Sequence, residues 1–149
     1  MMQIAQYDDL KTIIKWIKSS GEAKLWGREK IRYPLSVETL IDDIKFSSHH
    51  SYSFFSDGKL FGFAQIIDIE ENTGLIARVI IKPELRGTGY GKRLFKALIR
   101  HCDSNCYAQL TLKVYKSNSP AINLYRSFGF QISKKDDLHE SLSMNRFKK

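Results

Sequence analysis

Two cysteines and three prolines are all that 149 residues hold of either type. Cys102 and Cys106 are too few for a disulfide framework or a four-ligand zinc site, so both are expected as free thiols of a cytoplasmic protein with no bound metal. The longest stretch without a polar side chain is residues 60–64. A membrane-spanning helix needs roughly 20 apolar residues, so no membrane contact is expected. Residues 1–7 lack the basic start and apolar run of a signal peptide. Repeats, low-complexity tracts and Pro/Gly-rich linkers are absent too. Domains usually run roughly 100 to 200 residues, so one domain over 1–149 is expected.

What the chain does have is positive charge. Lys and Arg number 24 against 16 Asp and Glu, a formal charge of +8. The excess is marked between residues 82 and 100, where Lys82, Arg86, Lys92, Arg93, Lys96 and Arg100 face only Glu84. Such a concentration points to an anionic partner, either nucleic acid or a phosphate-bearing small molecule.

The N-terminal third reads as helical. Asp8 is placed to cap a segment whose Leu10, Ile13, Ile14, Trp16 and Ile17 share one face. Ser36 is placed to cap a second helix with Leu40, Ile41 and Ile44 inward, and Thr39 stands where a capping box would carry Glu. An aromatic, basic connector over 25–34 lies between them. Strands then follow at 52–56 and 59–69, joined by the hairpin dipeptide Asp57-Gly58, and at 75–81. A helix over 89–103 turns Leu94, Phe95, Leu98, Ile99 and Cys102 inward and its cations outward. Next come a strand over 107–115 and a helix begun by Ser119 and Pro120 and ended at Gly129. Strands at 130–133 and 141–147 close the pattern, giving a mixed α/β (α+β) fold.

Arg86-Gly87-Thr88-Gly89-Tyr90-Gly91-Lys92 joins the third strand to the basic helix. Closely spaced glycines let main-chain N–H groups converge, and the start of a helix adds favourable dipoles for an anion. A Walker A loop would need Gly at Arg86 and Ser or Thr at Arg93; a dinucleotide fingerprint would need Gly at Lys92 or Leu94. Both fail. The turn instead matches R-x-x-G-x-G, which resembles the acetyl-CoA pyrophosphate loop of the GNAT superfamily of N-acetyltransferases. The run Val79-Ile80-Ile81-Lys82-Pro83-Glu84-Leu85-Arg86-Gly87 resembles that family's strand-bulge-loop segment. Downstream, Asn118 to Phe130 resembles its N-x-x-A-x-x-L-Y-x-x-x-G-F signature. Met144-Asn145-Arg146 is similar to its last strand.

The resemblance implies a mostly antiparallel sheet splayed at the centre and flanked by helices, with acetyl-CoA as co-substrate. It also implies cofactor-binding roles residue by residue. Main-chain groups of Val79, Ile80 and Ile81 would pair with the pantetheine amides. Those of Gly87, Gly89, Gly91 and their neighbour Tyr90 would hold the pyrophosphate, helped by Arg86, Thr88 and Lys92. Asn118 would bond the pantetheine arm. Tyr125 would be the general acid beside the departing thiolate, since an ordinary phenol with a pKa near 10 is protonated at neutral pH. The reaction implied is direct attack of a primary amine, on a small molecule or protein, on the thioester.

No general base is assigned. Asp68, Glu70 and Glu71, and the pair His49-His50, are the nearby candidates, and a relayed water is another. Trp26, Tyr33 and Pro34 either line the acceptor side or pack the N-terminal helices. A basic nucleic-acid-binding module and an acyl-CoA-binding protein without catalysis stay open as alternatives, and a homodimer is compatible with the sequence.

Overall fold

The computed structural model describes residues 1–148, with the backbone alone at Glu29. Among the described residues, seven strands and five α-helices follow in the order β1 (Met2–Ile4), α1 (Tyr7–Ile13), α2 (Ser20–Gly27), α3 (Val37–Asp43), β2 (Ser51–Ser56), β3 (Lys59–Glu70), β4 (Thr73–Ile81), α4 (Tyr90–Asp103), β5 (Gln109–Tyr115), α5 (Ser119–Ser127), β6 (Gln131–Asp136) and β7 (Ser141–Phe147). The strand order is β1-β2-β3-β4-β5-β7-β6. The pairs β1–β2, β2–β3, β5–β7 and β6–β7 are antiparallel, whereas β4 and β5 run parallel. The β4–β5 register extends from Thr73–Gln109 to Ile76–Leu112 and does not include Val79–Ile81. The mixed, mostly antiparallel sheet with a central break in pairing is the one expected.

Two compact units divide the chain. The first is Met1–Gln65 with Arg78–Tyr90; the second is Ile66–Ala77 with Gly91–Lys149. In the first, Leu10, Ile13, Leu40 and Ile44 from α1 and the α3 region pack with Phe63 and Ile80. These residues are almost fully shielded from water. The α3 cap forms as the sequence implied. Ser36 Oγ accepts from Thr39 N–H at 3.2 Å, and Thr39 Oγ1 accepts in return from Ser36 N–H at 3.4 Å.

Three local expectations are corrected. Asp8 does not cap α1: Gln6 is the cap residue, its N–H donating to Asp9 at 2.8 Å, and Asp8 instead pairs with Lys11 at 3.0 Å. The capping carboxylate therefore sits in the first turn, where it also meets the positive end of the helix dipole. Residues 25–27 are not connector but the end of α2, whose start is capped by Ser19 Oγ accepting from Glu22 N–H at 3.1 Å. Finally, Asn118 rather than Ser119 caps α5, which moves Ser119 and Pro120 into the first turn.

In the second unit, Leu94, Phe95, Leu98 and Cys102 of α4 are buried, as are Leu110 and Leu112 of β5 and Met144 of β7. Lys92, Arg93, Lys96 and Arg100 lie on the exposed face of α4.

Candidate functional site

Gly87 has φ +76° and Gly89 φ +92°, values that side chains with a Cβ rarely adopt. A Cβ added at either would meet nothing within 4 Å, so conformation, not crowding, selects glycine at these two positions. The turn is tightened from within. Leu85 O accepts from Thr88 N–H at 3.3 Å and also from the Thr88 hydroxyl, while Arg86 N–H donates to Pro83 O at 3.3 Å. Among the described residues, the N–H groups of Gly87 and Gly89 have no main-chain acceptor. The helix that follows leaves its first-turn N–H groups, including those of Gly91 and Lys92, without internal partners. The result is a pair of unpartnered main-chain donors at Gly87 and Gly89, suited to an anion with several oxygens.

Arg86 is partly engaged within the turn, its Nε donating to Ile81 O at 3.1 Å. The main chain of Val79–Ile81 lies just upstream, with Ile80 buried and both neighbours partly buried. Tyr90 begins α4 and sets its ring edge-on to Phe61, with centroids 5.0 Å apart.

In the second unit, α4 and α5 approach closely at Gly91, where an added Cβ would lie 3.4 Å from Leu124 Cδ2. Tyr125 of α5 is held by aromatic neighbours, 5.0 Å from Phe95 and 6.2 Å from Phe130 between centroids. Its hydroxyl has no hydrogen-bond partner among the described residues, and burial pushes the phenol up to about 12. Asn118 Oδ1 accepts from Ala121 N–H at 3.4 Å, so the cap occupies its oxygen and leaves its Nδ2 donors.

Of the candidate bases, Asp68 accepts a hydrogen bond from the Tyr107 hydroxyl. His50 lies beside Ser51 Oγ (3.4 Å) and Gln65 Nε2 (3.5 Å) from its Nδ1. Glu70, Glu71 and His49 are exposed. Trp26 packs edge-on to Phe63 at 6.2 Å, whereas Tyr33 is exposed. Cys102 is buried, and burial raises its thiol to about 12. No cluster of His, Cys, Asp or Glu suited to a metal occurs among the described residues.

Sequence reasoning passed over a buried polar group in the first unit. Gln65 is fully buried; its Nε2 donates to Ile44 O and Ser51 Oγ, both at 3.0 Å, and its Oε1 accepts from Arg78 at 2.7 Å. The available signal was one amide in the otherwise apolar run 60–67 and one guanidinium within 75–81.

The sequence profile of the acetyltransferase (GNAT) family matches residues 10–130. The chain belongs to that family, and so to the acetyl-CoA-dependent N-acyltransferases. It is similar to the peptidyl-lysine N-acetyltransferase YiaC of Escherichia coli (strain K12), 29% identical over 135 residues that cover 89% of this chain and 84% of that one. It is 28% identical over 117 residues to the spermine/spermidine N(1)-acetyltransferase of Bacillus subtilis (strain 168), covering 72% and 76% respectively. Among solved structures, it shares its fold with the PaiA N-acetyltransferase of Thermoplasma acidophilum in complex with coenzyme A. That match has a TM-score of 0.76 at 22% identity over 99% of this chain and 98% of the other. No helix among the described residues is long and apolar enough to cross a membrane.

Proposed function

We propose that residues 1–149 act as one acetyltransferase domain moving the acetyl group of acetyl-CoA to a primary amine by direct attack on the thioester. The observation that carries this reading is the arc of unpartnered N–H groups at Gly87 and Gly89, held open by left-handed glycines at the head of α4. The pyrophosphate sits on this arc, with Lys92 and the free nitrogens of Arg86 adding charge-assisted contacts. Thr88 supports the turn through its bond to Leu85. From there the pantetheine arm runs back along β4, its amides meeting main-chain groups of Ile81, Ile80 and Val79. Asn118 Nδ2 adds a side-chain donor to the arm.

The amine nitrogen attacks the thioester carbon, and the C–S bond breaks. The nitrogen loses one proton and the departing sulfur gains one. Tyr125 offers its O–H to that sulfur, held in place by Phe95 and Phe130. A phenol raised to about 12 stays protonated throughout the neutral range. So weak an acid does not hand its proton fully to a thiolate, because an ordinary thiol is the stronger acid. The contribution of Tyr125 is therefore a hydrogen bond to the developing charge, completed by the proton that leaves the amine. By their names, one of the relatives above acts on peptidyl lysine and the other on spermine and spermidine.

Two measurements test this reading. Saturating acetyl-CoA raises the melting temperature, and a panel of primary amines releases free CoA thiol. An unmoved melting temperature with acetyl-CoA would overturn it.

A further inference from the structure

Arg78 is the only residue within a strand, among those described, that combines a side chain with a positive φ, +52°. The other such residues all lie in turns or at helix ends. A bulky side chain in the left-handed region costs roughly 1–2 kcal/mol and persists only where the surroundings enforce it. The twist directs the guanidinium at Gln65, and NH1 donates to Gln65 Oε1 at 2.7 Å. Gln65 has no freedom to turn, because both of its N–H donors are already taken by Ile44 O and Ser51 Oγ.

The guanidinium so held lacks a counter-ion. Arg78 joins no salt bridge among the described residues, and its Nε is buried without any acceptor. Burial accordingly pulls its pKa down from the usual arginine value. A second buried donor of the same unit is also unanswered: the indole Nε1 of Trp26. Trp26 packs on Phe63, two residues before Gln65 on the same face of β3, which is a spacing of about 7 Å. The Gln65–Arg78 pair thus presents a cation with an orphan Nε–H donor, and no acid pairs with it among the described residues.

We propose that this group binds a carboxylate of the acceptor, making the substrate an amine that also carries a carboxylate, as a free amino acid does. The assignment rests on the acetyltransferase reading for its position. With pyrophosphate at residues 86–91 and pantetheine running back along β4, the acyl end reaches the start of the 79–81 run, next to Arg78. A carboxylate there satisfies the Nε–H and neutralises the half-buried charge; a polyamine would place cation against cation.

The test uses product analogues, so that no turnover is needed. N-acetylalanine, N-acetylleucine and N-acetylphenylalanine, and the carboxamide of each, are titrated into the protein with and without CoA. The Arg78 Nε–H signal is followed by NMR. The carboxylates should bind about tenfold to a hundredfold more tightly than the carboxamides, as expected for charge-assisted bonds. They should also shift the Arg78 signal. In Arg78→Gln that preference vanishes while the acetyl-CoA thermal shift remains; Arg78→Lys, which keeps the charge but not the fork, retains part of it and serves if the first variant fails to fold. Equal binding of the carboxamides, or a preference that survives Arg78→Gln, overturns the proposal. Failure of acetyl-CoA to bind overturns the parent reading instead, and the titration without CoA still decides the carboxylate site.

Discussion

Arg146 holds Asp103 in a two-pronged ion pair, NH1 to Oδ1 at 3.0 Å and NH2 to Oδ2 at 3.1 Å. The same guanidinium donates from Nε to Phe128 O at 3.2 Å, so one side chain of β7 ties together the C-terminal ends of α4 and α5. Planar, bidentate pairing of this kind is specific to arginine. Arg146→Ala should destabilise the fold by about 1–3 kcal/mol, and Arg146→Lys should recover only part of it. Thermal denaturation followed by circular dichroism reads both values; a melting temperature equal to wild type for Arg146→Ala would refute the account.

Tyr125→Phe keeps the ring among Phe95 and Phe130 and removes only the hydroxyl. Turnover should drop on the order of a hundredfold, in the range for one lost hydrogen bond to developing charge, with affinity for acetyl-CoA nearly unchanged. Steady-state kinetics with varied acetyl-CoA separates the two effects. Equal kcat would remove Tyr125 from the chemistry.

The glycines of the turn should respond differently from the glycine of the helix. Ala at Gly87 or Gly89 meets no neighbour but opposes the backbone conformation, at roughly 1–2 kcal/mol. We expect acetyl-CoA binding to weaken about tenfold as the N–H arc relaxes. Gly91→Ala has an ordinary helical φ and a 3.4 Å contact that the Leu124 side chain can relieve, so its effect should be smaller. Calorimetric titration of the three variants orders them; an equal loss in all three would contradict this ranking.

Acid should act on the first unit through Asp43. Its carboxylate accepts from the Arg32 N–H at 2.9 Å and lies 2.8 Å from Arg32 NH2, and the Arg32 side chain holds its pKa below the usual carboxylate value. A pKa lowered by folding gives stability that is present above the unfolded value, near 3.8, and is lost as pH falls through the folded one. Asp43→Asn should therefore lower the melting temperature at pH 7 and have little effect near pH 2. Parallel acid limbs for the two proteins would exclude Asp43 as a contributor.

The two thiols should separate by access. Cys106 is exposed while Cys102 is buried with its thiol raised to about 12. A thiol reagent should modify Cys106 alone in the native protein and both after unfolding. Rapid modification of both in the native state would show that the α4 face opens.

The strands, the α4 helix and the glycine turn were legible in the sequence because short-range chemistry decides them. Asp57-Gly58 writes its own hairpin, and Gly87 and Gly89 of the turn take positive φ. Tertiary context decided the rest. The strand β1 has three residues and exists through its pairing with β2, which no local pattern announces. The α2 helix opens on Ser19-Ser20-Gly21, which reads as a turn until the Ser19 cap is in place. The Gln65–Arg78 group depends on two strands bringing together residues 13 positions apart, one of them in a twisted conformation. In sequence, each was one polar residue in an apolar run.

The positive charge near the C-terminus also has local causes. Lys148 Nζ donates to Asp103 O at 2.6 Å, at the negative end of α4, and Lys116 pairs with Asp137. Lys149 lies outside the described residues. Lys134 and Lys135 sit on β6, the last strand in the sheet order, and both are exposed. An open strand edge invites another chain to extend the sheet, and a row of lysines repels a second copy of itself. The bulge at Ile132–Lys134 further interrupts the row of main-chain groups that such an addition would need. The surplus cations of β6 thus guard that rim against self-templated aggregation.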